Sequence, residues 1–177
     1  SRRPRVYVVA VGVSEYQDAQ LKLEFPSKDA TDFAQFMQAQ QGRMYSTVEV
    51  RLVTDRQATR AKVIEALDWL KSKVGAADTG MVFIAGHGIN DARGHYHFLA
   101  HDADPRNLAR TAISEAEIRS RMASLWGRAL LFVDTCHAGN VLGTHQAMNS
   151  EMRRLANTLS SPENGVIVFS ASTGRQT

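Results

Sequence analysis

The chain has 177 residues, with 21 basic and 18 acidic side chains, 44% hydrophobic residues and a single cysteine. That length suits one domain, residues 1–177, burying about 70% of its unfolded surface. The balance excludes a disulfide scaffold, a bilayer-spanning chain and a nucleic-acid binder with a basic and aromatic stripe. Apart from the Arg2-Arg3-Pro4-Arg5 start, the basic residues are spread along the chain. With one unpaired thiol and no signal peptide before the first apolar run, a reducing, cytoplasmic setting is expected.

Residues 5–13 are almost continuously apolar and predict a strand buried on both faces. Residues 27–41 space Ala30, Phe33 and Met37 as on a helix, with Ser27 as N-cap and Gly42 past the end. In 47–53, Val48, Val50 and Leu52 alternate with Glu49 and Arg51, the pattern of an outer strand. A helix over 59–74 aligns Val63, Leu67, Leu70 and Val74, with Trp69 and Lys71 off that face. A third strand, 81–85, leads into His87. A turn-rich loop over 90–94 and a short hairpin arm over 95–100 follow it. Ser114 and Glu117 form a capping box for a helix whose face is Ile118, Met122 and Leu125. The fourth strand is 129–133, a helix carries Met152, Leu155 and Leu159, and the fifth strand is 166–169. Strands alternating with helices imply right-handed crossovers in a mostly parallel sheet with helices on both faces.

Two strand ends carry chemistry. Met81 to Gly88 ends in His87 between glycines, and Ala129 to Gly139 runs through Asp134-Thr135-Cys136. In parallel sheets the carboxyl ends of strands open into a crevice. A thiol there needs a partner, because an ordinary cysteine with a pKa near about 8.5 is only slightly ionised at neutral pH and the thiolate is the nucleophile. His87 stands about 50 residues upstream of Cys136, a spacing found in caspases. Taken singly, Cys136 also reads as a small buried hydrophobe and His87 as a hydrogen-bonded turn residue. Their joint spacing is what favours catalysis.

The pair His87-Gly88 and the block Asp134-Thr135-Cys136-His137-Ala138-Gly139 resemble the caspase-like cysteine peptidases, and among them the metacaspase-like and bacterial branch. The resemblance implies a three-layer α/β/α fold with strand order 2-1-3-4-5-6, in which the third and fourth strands are neighbours. It implies that Cys136 attacks the peptide carbonyl, that His87 transfers the proton to the leaving amine, and that the backbone N–H groups of Gly88 and Cys136 form the oxyanion hole. No Asp or Asn is evident to orient His87, and in the family a backbone carbonyl can serve. The family continues past the fifth strand into a sixth strand and further helices. The chain is therefore expected to be the large-subunit-like portion, truncated at its C-terminal end, the remainder being a separate cleaved chain, removed or disordered.

Substrate choice turns on Asp134. Animal caspases have glutamine two residues before the cysteine, whereas an aspartate there resembles the metacaspase pocket for arginine or lysine. A carboxylate can take a guanidinium fork, while a substrate carboxylate would meet like charge. Asp29 matches a second acidic position of that pocket, although an aspartate in a helix's first turn is favoured by the dipole in any case. Asp134 alternatively caps a loop, and Ala85 replaces a serine often seen two before the histidine.

The expected function is a cysteine endopeptidase cutting after Arg or Lys, with a protein or peptide substrate and no organic cofactor. The rivals are an aspartate-directed protease and a non-catalytic caspase-fold binding module. By analogy with bacterial relatives, the setting is programmed cell death or antiphage defence under an upstream sensor domain. His95, His97 and His101 lack partners for a structural-zinc set, so no metal is expected there. His137 is read as shaping the loop. Asp102 and Asp104 stand where family members bind calcium, but Ser114 and Glu115 fall where further aspartates belong, which argues against calcium dependence. Arg153 and Arg154 fit a self-cleavage site by type, although a solvated helix face suits them better. The stretch 140–149 contains no basic residue.

Overall fold

The computed structural model describes residues 3–137 and 165–171; for residues 136, 137, 170 and 171 only the backbone is described. The first strand, β1 (Arg5–Gly12), is buried from Val6 onward, as its unbroken apolar run requires. On one side it pairs in parallel with β2 (Thr47–Thr54), on the other with β3 (Thr79–Asn90). Next to β3 lies β6 (Arg128–His137), followed by β7 (Val166–Ala171), both parallel. The main path is thus β2-β1-β3-β6-β7. In terms of the five predicted strands this is 2-1-3-4-5, the expected order. β2 is outermost and only half buried, in keeping with its alternating pattern.

Helices cover both faces. α1 (Pro26–Gln38) packs Ala30, Ala34 and Met37 with Phe33 against Val6, Val8, Ala10, Met81, Phe83, Leu130 and Phe132. α2 (Arg60–Lys73) and α4 (Glu115–Ala123) bury Val63, Leu67, Leu70, Ile118 and Met122 on the other face, against Val9, Val82, Ile84, Leu131 and Val133. The period-2 alternation along β6 therefore sends Leu131 and Val133 towards α2, and Leu130 and Phe132 towards α1. The capping box is present: Ser114 accepts from the Glu117 N–H and Glu117 from the Ser114 N–H. Trp69 is not wholly off the packed surface, since its ring meets Tyr7 edge-on and carries the Arg51 guanidinium 4.7 Å above it.

Several boundaries differ from the sequence reading. Ser27 is not the N-cap of α1; Pro26 opens the helix, a position where its missing N–H costs nothing. The capping oxygen comes from further away, as Ser14 Oγ accepts from the Ser27 N–H at 2.9 Å. The helix ends at Gln38, and Gly42 lies beyond it in a turn with φ 79°. Strand β3 runs on past residue 85 through His87 to Asn90, and β6 past residue 133 through Cys136, because the ladder is made by backbone groups and does not need apolar side chains. The hairpin arm is real: β4 (Tyr96–Phe98) pairs antiparallel with the end of β3, and β5 (Ile113–Ser114) pairs with β4. A single turn, α3 (Leu108–Thr111), precedes β5 and was not anticipated. The predicted helix with Met152, Leu155 and Leu159, together with Arg153, Arg154 and the stretch 140–149, lies outside the described residues.

The amino edge of the sheet is tied together at Asp78. Its carbonyl accepts from the Arg128 N–H at the start of β6, and its carboxylate accepts from the Gly75 N–H and from Arg5 Nε at the start of β1. At Gly127 a Cβ would lie 2.2 Å from the Asp78 carbonyl oxygen, so only glycine lets β6 begin there.

Candidate active site

At the opposite, carboxyl edge the register of β3 against β6 makes His87 the direct partner of Cys136, with Gly88 opposite His137 and Ala85 opposite Asp134. Paired strands run about 4.8 Å apart, so the two backbones carrying thiol and imidazole are as close as ladder geometry allows.

His87 is buried and held from two sides by the loop following β1. Its Nε2 lies 2.7 Å from the Leu21 carbonyl oxygen. A carbonyl can only accept, so Nε2 carries the proton and Nδ1 is the basic nitrogen. The backbone N–H of His87 donates to the Tyr16 hydroxyl at 3.0 Å, and the two rings lie 5.3 Å apart. The orienting group is thus a backbone carbonyl, as the family resemblance allowed. Leu21 and Tyr16 were missed by sequence reading. A carbonyl leaves no mark on residue type, and residues 14–25 carry neither a strand nor a helix period.

The glycines around His87 are required by space. A Cβ on Gly88 would lie 2.4 Å from the ring of Tyr96, which is wholly buried beneath it. At Gly86, φ is 153° and a Cβ would meet the Tyr16 hydroxyl at 2.8 Å. Glycine at 88 thus has a reason on the protein's own side. Burial pushes the Tyr96 phenol far above its ordinary range, with Tyr16 adding to the shift, and its hydroxyl faces Thr135 of β6.

Asp134 shares the face of β6 on which α1 packs, and its Oδ1 is buried with no hydrogen-bond partner among the described residues. Burial pushes the Asp134 carboxyl up, and the charge of Asp29 pushes it further. Asp29 sits in the first turn of α1, which comes close to the sheet because Gly12 has no side chain: a Cβ there would lie 2.3 Å from the Pro26 carbonyl oxygen. The structure therefore places Asp29 within electrostatic reach of Asp134. It gives Asp134 no loop N–H to cap among the described residues.

The remaining candidates separate. His97 Nε2 lies 3.2 Å from Asp91 Oδ2 and His95 Nδ1 lies 3.6 Å from the same oxygen, whereas His101 turns away and donates from Nδ1 to the Glu15 carbonyl at 2.6 Å. A cavity of about 570 Å³ beside the 17–21 loop is lined in part by Asp18, Asp102 and Asp104, the last two being the calcium candidates. Their carboxylates are engaged elsewhere: Asp18 accepts from the Gln20 N–H, Asp102 from the Arg60 N–H, and Asp104 from the N–H and side chain of Arg106. Ser114 is taken by the capping box and Glu115 faces Arg119. Among the described residues no group of three or more His, Cys, Asp or Glu converges as a metal site. No helix among the described residues is long and apolar enough to cross a membrane.

Comparison with known proteins agrees with this architecture. Protein GSU0716 from Geobacter sulfurreducens is similar in structure, with a TM-score of 0.61 and 22% identity over 90% of this chain. The chain spans 66% of that protein's length, and the likeness concerns the fold. No curated protein matches. The sequence pattern of the caspase domain matches residues 5–177, and with that coverage the chain belongs to the caspase-domain family.

Proposed function

We propose that the chain is the core of a metacaspase-like endopeptidase that hydrolyses peptide bonds after arginine or lysine, with Cys136 as nucleophile and His87 as its base. The observation that carries this reading is the ladder pairing of His87 with Cys136, two residues beyond Asp134, whose buried Oδ1 has no hydrogen-bond partner among the described residues.

The chemistry runs as follows. His87 Nδ1 takes the thiol proton, the thiolate attacks the scissile carbonyl, and a thioester forms as the protonated imidazole returns the proton to the leaving amine. The Leu21 carbonyl holds the proton on Nε2 throughout and stabilises the imidazolium. The backbone N–H groups of Gly88 and Cys136 are the donors assigned to the oxyanion. Water then hydrolyses the thioester with His87 as base. Asp134 and Asp29 together suit a guanidinium or ammonium, whose charge would meet two carboxylates in a partly desolvated place. A substrate aspartate would add a third negative charge there, which disfavours the aspartate-directed alternative.

The test is cleavage of matched fluorogenic peptides ending in Arg, Lys or Asp by wild type and Cys136→Ala. Turnover after Arg or Lys that disappears in the variant is the expected result. Silence on every peptide, together with a thiol that reacts with iodoacetamide no faster than free cysteine, would replace the peptidase with a binding module.

A further inference from the structure

The hydrogen bonds around the loop after β1 form a closed circuit. Asp55, just past β2, accepts through Oδ1 from the N–H groups of both Ser14 and Glu15, at 2.9 and 3.0 Å. The Asp55 carbonyl accepts from the Ala58 N–H, and the Ala58 carbonyl from the His101 N–H. The His101 carbonyl in turn accepts from the Gln17 N–H, and its ring donates to the Glu15 carbonyl. The loop is also closed on itself, since the Leu23 N–H donates to the Ser14 carbonyl at 2.9 Å and Asp18 caps the short turn Ala19–Leu21. What this braced loop presents to the interior is the Leu21 carbonyl on His87 Nε2 and the Tyr16 hydroxyl on the His87 N–H.

A second observation, independent of these bonds, singles out Asp55. It is the one described non-glycine residue with positive φ, at 51°. Aspartate and asparagine tolerate that conformation better than other side chains, but it is still one the surroundings must impose. It sets a carboxylate in reach of two successive N–H groups on a neighbouring strand's exit.

We propose that Asp55 and His101 are positioning residues for the imidazole: they brace residues 14–23 so that Leu21 fixes the Nε2-protonated tautomer of His87 and keeps Nδ1 as the basic nitrogen. Neither residue touches substrate in this scheme. Both act through the loop, and their contribution to turnover rests on the peptidase reading above, whereas their effect on the tautomer does not.

The experiment uses the full chain and two readouts. The first is ¹⁵N spectroscopy of the histidine rings, with His87 assigned by its loss in His87→Gln. The second is kcat and KM on an Arg peptide across pH. Asp55→Asn keeps an acceptor oxygen and tolerance of positive φ, and His101→Asn keeps a donor near the position of Nδ1. Both should retain the Nε2–H tautomer and turnover close to wild type. Asp55→Gly relieves the backbone but deletes the acceptor, and His101→Leu deletes the donor from a partly exposed site with little risk to folding. Both should mix the tautomers and lower kcat by about a hundredfold with KM within a factor of two, the scale on which small misplacements act. A His87 that stays in one tautomer in Asp55→Gly and His101→Leu would overturn the proposal, whatever happens to activity. Tautomer mixing in a chain whose wild type cleaves nothing would uphold it while sinking the peptidase reading.

Discussion

The charge of Asp29, in the first turn of α1, bears on Asp134, near the end of β6, and one oxygen of Asp134 is buried with no hydrogen-bond partner among the described residues. Two carboxylates placed this way cost stability in the empty protein and become an asset when a cation arrives.

Asp134→Asn should therefore separate stability from turnover. The Asp134 carboxyl titrates above its ordinary value in the folded chain, so ionising it disfavours the fold as pH rises through that value. Removing the charge should raise Tm at neutral pH by about 2–4 °C, the shift made by about 1 kcal/mol in a domain of this size. The same change should lower kcat/KM on Arg peptides by about two orders of magnitude and leave alkylation of Cys136 unaltered. In wild type, kcat/KM on Arg peptides should rise with pH as Asp134 ionises, and the variant should lose that limb. A variant that keeps its Arg preference would remove Asp134 from the pocket.

Gly12→Ala tests how close α1 must come. The new methyl would meet the Pro26 carbonyl at 2.3 Å and the Ala30 Cβ at 2.7 Å, both on the helix's first turns. Lifting that end of α1 carries Asp29 away from Asp134. The expected result is a loss of about 1–3 kcal/mol in urea unfolding and a rise in KM for Arg peptides. An unchanged KM would mean that Asp29 contributes nothing to binding.

Asp91 is the anchor of the β3–β4 turn. Burial alone would raise its carboxyl. The N–H groups of His95 and Arg93 and the His97 ring outweigh that and hold it below its ordinary value. A carboxylate depressed in the folded state stabilises above its unfolded pKa, and the benefit is lost as pH falls through the folded value. Asp91→Ala should accordingly lower Tm at pH 7 by about 4–8 °C, about 2 kcal/mol, with the gap closing towards strongly acidic pH. Equal deficits at pH 7 and pH 3 would contradict the electrostatic account.

Glu117 serves two partners at once, the Ser114 N–H through Oε2 and the Arg60 guanidinium through Oε1. Glu117→Gln keeps a cap and loses the ion pair; Glu117→Ala loses both. Thermal melts should place the alanine variant about 1 kcal/mol below the glutamine one. Indistinguishable melts would assign the stability to the ion pair alone.

What was legible in the sequence follows from which groups do the work. Val63, Leu67 and Leu70 announce α2 by their period, and Ser114 with Glu117 announces α4, because burial and capping act through side-chain type. The strand ends at His87 and Cys136 were legible through the glycines and the family-like motif. Ser27 misled because the rule for caps looks one residue ahead, while here the cap comes from Ser14, thirteen residues back. The loop from Ser14 to Phe25 was silent because its contribution is a carbonyl, a phenolic oxygen and a set of N–H groups, none of which needs a periodic pattern. Asp55 left no trace in sequence for a similar reason: its meaning lies in a backbone angle and in a partner forty-one residues earlier.

The tie at Asp78 has a bearing on how the molecule can change. Like a hand fan riveted at the handle, the sheet gathers the starts of β1, β3 and β6 around one residue at the edge remote from His87 and Cys136. Substitutions at the far ends, as at Asp134 or Asp29, then leave the rivet in place, so that edge of the scaffold is open to change at small risk to its integrity.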